Sequence, residues 1–540
     1  MRNLTRPTFG SILIAMVILA FLIPLALFSS QVQQTHAASP ASSPHPARPL
    51  IGTPIDWPEF RGDAARDGDQ SSSTQLNKSN ANTLVPVTGS AYTTTGAANS
   101  SPAIVGGVLY YAANTSRMAV PSNAMMYAVS VATGNTLWSV PFPACGNMPQ
   151  TQSYVLSSPA VGSGYIAALG TTATEVFIGR GSRYNGNTGC LYDFDGATGA
   201  LIWEYSTPQQ VYSSPAIMTT NSGSIVVVGD NDDYVRAFSV DYSGSPGGSG
   251  TQLWDYNTRY DPAPPGHAQY CQKNEELCGD AVWSSPAEAL VMVNGTAHHY
   301  AYFGVGAEAN TVGRVDAIDM DTLVQNSPTL IWAFWDPHPQ FNDDFGTVLV
   351  LTDQNGFGIR VFSGIDNGDM YAMDATTGAM DFDFNTGVQL GTKSAIHSTG
   401  APVTINGVTE LIFGSGIHYA GYIWAIDALS TSSSGTLLWK SQEFGGEILS
   451  SPAVVNQGAN AIVYIMGPVR FGFPSSGDLL AVDPSSGAIL ADYQVFNGAY
   501  GAASSPAVYG NMVFVTEGYT FYDSHNLKGG GLAAFQCASC

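Results

Sequence analysis

The sequence predicts an all-β chain, an eight-bladed β-propeller of four-stranded antiparallel blades closed by an N-terminal strand. Three observations carry this reading. The phrase Ser-Ser-Pro-Ala recurs at Ser100, Ser157, Ser213, Ser284, Ser450 and Ser504. Two weaker copies, Asp344-Phe345-Gly346-Thr347 and Ser398-Thr399-Gly400-Ala401-Pro402, fall where a period of roughly 50 to 70 residues requires them. The final copy is followed by too little chain for a fourth strand, which implies that one is supplied from elsewhere.

Within each repeat a second module follows in register: an aromatic-Ala-x-Asp stretch, a Thr-Gly turn and a Trp. Ala128 to Thr133-Gly134 to Trp138 is complete; Asp193 to Thr198-Gly199 to Trp203, Ala372 to Thr377-Gly378 to Phe382, and Ala425 to Gly435 to Trp439 are close variants. Gly supplies the positive φ of a hairpin turn, and the alternating residues around it read as half-buried strands. Between the modules lies another strand and turn, as in Val361-Phe362-Ser363 before Asp366-Asn367-Gly368. Four strands per repeat is the content of one propeller blade. The last repeat has Met512-Val513-Phe514-Val515 and Leu532-Ala533-Ala534-Phe535 and then ends. Leu84-Val85-Pro86-Val87 is the candidate for its missing outer strand.

These motifs resemble the pyrroloquinoline-quinone-like (quinoprotein-type) repeat propeller across almost the whole chain after the N-terminus. The resemblance implies a docking girdle in which the Trp of one blade packs over the turn of the next, and Trp138, Trp203, Trp254, Trp332 and Trp439 match it. It implies the fold more firmly than any chemistry, because the repeat serves enzymes and non-enzymes alike.

The N-terminus reads differently. Arg2 and Arg6 precede an apolar run from Ile12 to Phe28, then polar residues and the small residues Ala37 and Ala38. This is the order of a secretion signal over 1–37, with an uncleaved anchor as the alternative. Residues 38–54, rich in Ser, Pro and Ala, read as a disordered tether. Residues 55–540 are assigned to the propeller, with an insertion at 257–283 between blades three and four.

The formal net charge is -23 although only 11% of residues are charged, so the acidity reflects a shortage of Lys and Arg. Nucleic acid is thereby excluded as a partner, and the membrane is reached only through an uncleaved N-terminal anchor. Six cysteines in an exported chain are expected in disulfides. Cys271 with Cys278 and Cys145 with Cys190 are the pairs expected, and Cys537 with Cys540 reads as a terminal staple. No Cys-x-x-Cys-His occurs, which excludes covalent c-type haem.

For chemistry, the resemblance offers a cofactor-stacking aromatic at Trp283, in Gly279-Asp280-Ala281-Val282-Trp283, and a general base at Asp344 or Asp343. Trp283 reads equally as a core aromatic, and the two Asp residues as turn caps. The family's Thr-Gly-Asn calcium element is matched only by Val305-Gly306-Ala307, whose methyl cannot ligate Ca²⁺, leaving Glu308 as the nearby metal candidate. Asp366 stands where a cation contacting an anionic quinone is expected; Lys393 and His397 are the nearby positive groups. The expectation is therefore a binding or assembly propeller outside the cytoplasm, with an unknown protein, peptide or glycan ligand. The alternative is a dehydrogenase dependent on pyrroloquinoline quinone and calcium, oxidising an alcohol or sugar.

Overall fold

The computed structural model describes residues 45–46, 54–70, 75–88, 98, 100–114, 124–148, 150, 154–182, 188–260, 281–306, 313–338, 345–417, 419–468, 477–496, 504–517 and 531–540. They form eight separate antiparallel sheets in a propeller. Blade one is representative: Ala103–Val105, Val108–Asn114, Ala124–Ser130 and Thr136–Pro141 pair in sequence order. The inner strands of the others begin at Ala160, Ala216, Ala287, Leu349, Ala401, Ala453 and Ala507. Seven of these eight sheets therefore start immediately after a copy of the recurring phrase, and Leu349 of blade five follows the weak copy ending at Thr347. In blade eight, Ala507–Tyr509, Met512–Glu517 and Gly531–Cys537 are completed by Leu84–Thr88, with Leu84 opposite Cys537 and Pro86 opposite Phe535. The N-terminal strand thus closes the ring as expected, and His45–Pro46 pairs in parallel along its end, at Val87 and Thr88.

The geometry explains why Ser-Ser-Pro recurs. The backbone N–H of each second hydroxyl residue donates to the hydroxyl of the corresponding residue one blade on. Ser101 donates to Ser158, Ser158 to Ser214 and Ser214 to Ser285, each at 2.9 Å. Ser285 continues to Thr347, Thr399 to Ser451, Ser451 to Ser505, and Ser505 back to Ser101. Between Thr347 and Thr399 the link is reversed in kind, Thr399 Oγ1 donating to the Thr347 carbonyl at 3.4 Å. The two weak copies therefore keep the one group the ring requires, a β-hydroxyl. The first Ser works inside its own blade: Ser100, Ser157, Ser213, Ser450 and Ser504 accept from the second strand at Ala112, Gly179, Gly229, Met466 and Thr516.

Sequence reading assigned no role to residues 57–70, and the structure gives them a central one. They run round the axis inside the ring and serve the inner strands, whose channel-facing edges have no neighbouring strand. Trp57 and Ile104 exchange both backbone hydrogen bonds at 2.7 Å. Val161 donates to Pro58, Ile217 to the Glu59 carboxylate, Glu288 to Ala64, Val350 to Ala65 and Val454 to Gly68. Asp69–Gln70 adds a short parallel strand to blade seven, and Gln70 Nε2 reaches the Val508 carbonyl of blade eight. Two buried guanidiniums span the remaining distance. Arg61 donates to the carbonyls of Pro452 and Gly400, and Arg66 to those of Pro286, Ser214 and Pro215 while pairing with Glu59 at 3.3 Å. Burying an Arg without such partners is costly, and here the planar fork is filled from several blades at once.

At the outer rim the Trp girdle is present, with one correction. Trp203, Trp254 and Trp332 are buried, whereas Trp138 and Trp439 are only half-buried. Each of the latter still lies over a glycine of the next blade. A Cβ on Gly199 or Gly487, both at positive φ, lands 2.7 or 2.4 Å from the ring of Trp138 or Trp439. Trp138 Nε1 donates to the Gly196 carbonyl at 2.9 Å and Trp332 Nε1 to that of Ala375 at 3.2 Å. Thus the Thr-Gly turn needs Gly for close approach as well as for its backbone angle.

The disulfide Cys145–Cys190 ties the segment after blade one to the third strand of blade two, and Cys537–Cys540 ends the closing sheet. Cys271 and Cys278, the expected signal, nearly all of the tether and most of the insertion lie outside the described residues. Among the described residues no helix is long and apolar enough to cross a membrane.

Two tests follow from these contacts. Arg66→Met should lower unfolding stability by about 3–5 kcal/mol, since it strands Glu59 and several blade carbonyls in the interior. Lys393→Met, at an exposed side chain, should cost within about 1 kcal/mol. Equal losses in denaturant melts would show that the axial segment is not structural.

The second test concerns Glu175 and Asp193, both fully buried, which meet each other with, among the described residues, only the Val176 amide directed at Asp193. Asp241 and Asp195 add negative charge beside them, and Tyr242 is the other titratable group near Asp193. Burial raises both, Glu175 to about 7. The folded state thus holds a proton that the unfolded chain releases near its ordinary 4.5. The stability present below that value is lost as pH rises to about 7, by roughly 3 kcal/mol. Glu175→Gln should flatten this loss relative to wild type in urea melts between pH 4.5 and 8. Parallel profiles for the two proteins would sink the assignment.

Candidate functional site

In each blade the first strand begins, the second ends, the third begins and the fourth ends on one face of the ring. Loops from neighbouring blades converge there, and Trp283, Asp366 and His397 belong to it. Trp283, directly before Ser284-Ser285-Pro286, is 40% exposed and meets Tyr212 of the preceding blade edge-on, with ring centroids 5.7 Å apart. It is therefore a rim aromatic, not a core one. Asp343, Asp344 and Glu308 lie outside the described residues, as does Ala307.

Asp366 precedes the Asn367-Gly368 turn of blade five and pairs with His397 Nε2 at 2.9 Å; their side chains are 36% and 46% exposed. The turn position expected to offer a cation to an anionic quinone thus offers a carboxylate, and the imidazole beside it is engaged by that carboxylate. Because Asp343, Asp344, Ala307 and Glu308 lie outside the described residues, no chemical step is assigned through pyrroloquinoline quinone. Elsewhere, Asp230-Asn231-Asp232-Asp233 is a turn, as its position implies. Asp230 accepts from the Asp232 and Tyr234 amides and pairs with Arg236 at 2.7 Å. His298 and His299 pair with Asp319 and Glu288 separately, at 2.9 and 2.7 Å, and share no site.

Sequence reading missed the most concentrated group on this face. Blade four's last strand, Ser327–Trp335, delivers Asp336 and His338 into the seam with blade five. There Asp369 and Tyr371 open the strand Asp369–Asp374, and Asp383 and Asn385 end the strand Met380–Asn385. Tyr371 Oη lies 2.7 Å from Asp336 Oδ1 and 3.0 Å from Asp369 Oδ2. His338 Nδ1 is 3.3 Å from Asp383 Oδ2 and 3.7 Å from Asp369 Oδ2. Asn385 donates to Asp369, and the His338 amide to Asp336 Oδ1 at 2.8 Å. Burial raises the Asp336 carboxyl, and raises Asp383 to about 7 with the help of Asp369 and Asp336. Burial and the same carboxylates push the Tyr371 phenol far up, so it stays a donor. The group joins two blades, which is why spacing along the chain does not reveal it. The one local signal is Asp336-Pro337-His338, a few residues before Asp343 and Asp344 in sequence.

A family model described as outer membrane protein assembly factor BamB matches residues 122–270 and 327–531, well over half of the chain. No curated protein matches the sequence. Among solved structures, a europium-containing methanol dehydrogenase aligns at 12% identity and TM-score 0.61, covering 89% of this chain and 98% of its own. A quinohemoprotein alcohol dehydrogenase from Comamonas testosteroni aligns at 15% identity and TM-score 0.60, covering 89% and 80%. One from Pseudomonas putida HK5 aligns at 12% and 0.59, with the same coverage. At these identities the structural likeness concerns the fold. The repeat phrase, the eight blades, the Trp girdle and the matching family model together place this chain in the PQQ-like repeat β-propeller family, the BamB-type propellers included.

Proposed function

We propose that the chain is an exported, non-enzymatic propeller that binds or assembles a protein, peptide or glycan outside the cytoplasm. The observation that carries this reading is the Asp366–His397 pair, which puts a carboxylate where a quinone-binding site needs positive charge. The match to an assembly-factor family model supports the same choice. So does the axial segment, because residues 57–70 occupy the hub and leave the loop-bearing face as the surface for a ligand. Export is supported by the disulfides Cys145–Cys190 and Cys537–Cys540, which persist in oxidising compartments. On this reading residues 1–37 are removed as a signal and 38–54 tether the ring.

A dehydrogenase remains the second reading, favoured by the structural neighbours and by Trp283, whose exposed rim position suits stacking. The deciding experiment titrates the full chain with pyrroloquinoline quinone and Ca²⁺, following Trp fluorescence and dye-linked oxidation of alcohols and sugars. No saturable quenching and no oxidation are expected. Tight calcium-dependent binding, or an oxidation lost in Asp344→Ala, would replace the binding reading with the enzymatic one.

A further inference from the structure

We propose that Asp336, His338 and Asp369, backed by Asp383, form a divalent-cation site in the seam between blades four and five. One carboxylate oxygen each from Asp336 and Asp369 and one ring nitrogen of His338 converge, all within 4.8 Å of one another. Asp336 is fully buried and Asp369 nearly so, while the His338 side chain is 62% exposed. Two ligands are thus fixed in the wall and the third stands at the mouth, an arrangement open to an ion from solvent.

The hydrogen-bond donors around the group point the same way. Tyr371 has one hydroxyl hydrogen but stands within hydrogen-bond distance of oxygens on two carboxylates, Asp336 and Asp369. Asp383 Oδ1 is shut off from solvent and accepts no hydrogen bond among the described residues. No Lys or Arg pairs with Asp336, Asp369 or Asp383 among those residues, and Arg314, next to this loop in the sheet, is bidentate to Asp316 at 2.8 and 3.0 Å. Three carboxyls thus face one imidazole in a site of low exposure with no Lys or Arg beside them among the described residues, and a bound cation would displace the protons they otherwise share. Carboxylates joined by an imidazole favour a first-row ion such as Mn²⁺ or Zn²⁺ over Mg²⁺. Asn385 and the His338 amide, which hold Asp369 and Asp336, would orient the ligands from behind.

The test uses the full chain stripped with chelator and titrated with MnCl₂ and, separately, ZnCl₂. Free Mn²⁺ is followed by electron paramagnetic resonance, bound metal by elemental analysis after desalting, and melting temperature in parallel. The expected result is one equivalent bound per chain with a rise in melting temperature. His338→Ala, at an exposed side chain whose loss leaves the fold intact, should weaken binding at least tenfold, and Asp383→Asn should do likewise. Absence of a stoichiometric ion up to millimolar concentration overturns the proposal. So does binding that both variants retain at wild-type strength, and so does a melting rise of equal size in wild type and His338→Ala, which would mark surface screening.

Discussion

Closure of the ring at its inner edge is the constraint on which the rest of the molecule depends. Every blade ends at the axis in a short strand with one unpaired edge, and a buried backbone donor or acceptor left unpaired costs as much as a lost hydrogen bond. Two devices meet that demand. The hydroxyl relay from Ser101 round to Ser505 joins each blade to the next at the strand entrance. The axial segment 57–70 then bonds to inner strands three residues further along. Proline sits between these two levels because its position needs no N–H, and its carbonyl is turned to the axis where Arg61 and Arg66 can use it. Blade number, seam geometry and the position of the loop-bearing face all follow from this hub.

The same arrangement explains what could be read from sequence. Blade count and strand order were legible because the relay forces one phrase to recur, and even its weak copies keep a hydroxyl at Thr347 and Thr399. The closing strand was legible from the shortfall after Phe535. The axial segment was not, since it occurs once and carries no period. Arg61 and Arg66 look in sequence like ordinary solvated charges, and only the ring of carbonyls around them shows otherwise. Trp138 and Trp439 lie over the glycines where the docking pattern puts them, yet stay half-buried, because the end of a blade's outer strand faces solvent as well as its neighbour. At the candidate site Trp283 was identifiable from its place before the phrase, whereas Asp336, His338, Asp369 and Asp383 are brought together by a seam between two blades.

A shortage of basic residues gives these seams their electrical character. Two of the few arginines are spent at the axis, where carbonyl dipoles and Glu59 hold them. The buried carboxyls of blade two and of the seam between blades four and five are left with hydroxyls, amides and one another. Glu175, Asp383 and Glu410 are all raised to about 7 by burial, so the fold keeps protons that its unfolded chain would give up. Such a molecule is best suited to a medium on the acid side of neutrality, or to one that supplies cations. Export is compatible with either.

The division of labour within the ring also bears on how one scaffold serves different ends. Residues that close the hub and dock the rim are tied to backbone geometry, so altering them costs the fold. Residues at the strand ends and turns of the loop-bearing face take no part in the hydroxyl relay or the axial contacts. Asp366 with His397, and Asp336 with Asp369, are of this second kind. Such positions set the charge of that face, while the hydroxyl relay beneath it remains the same.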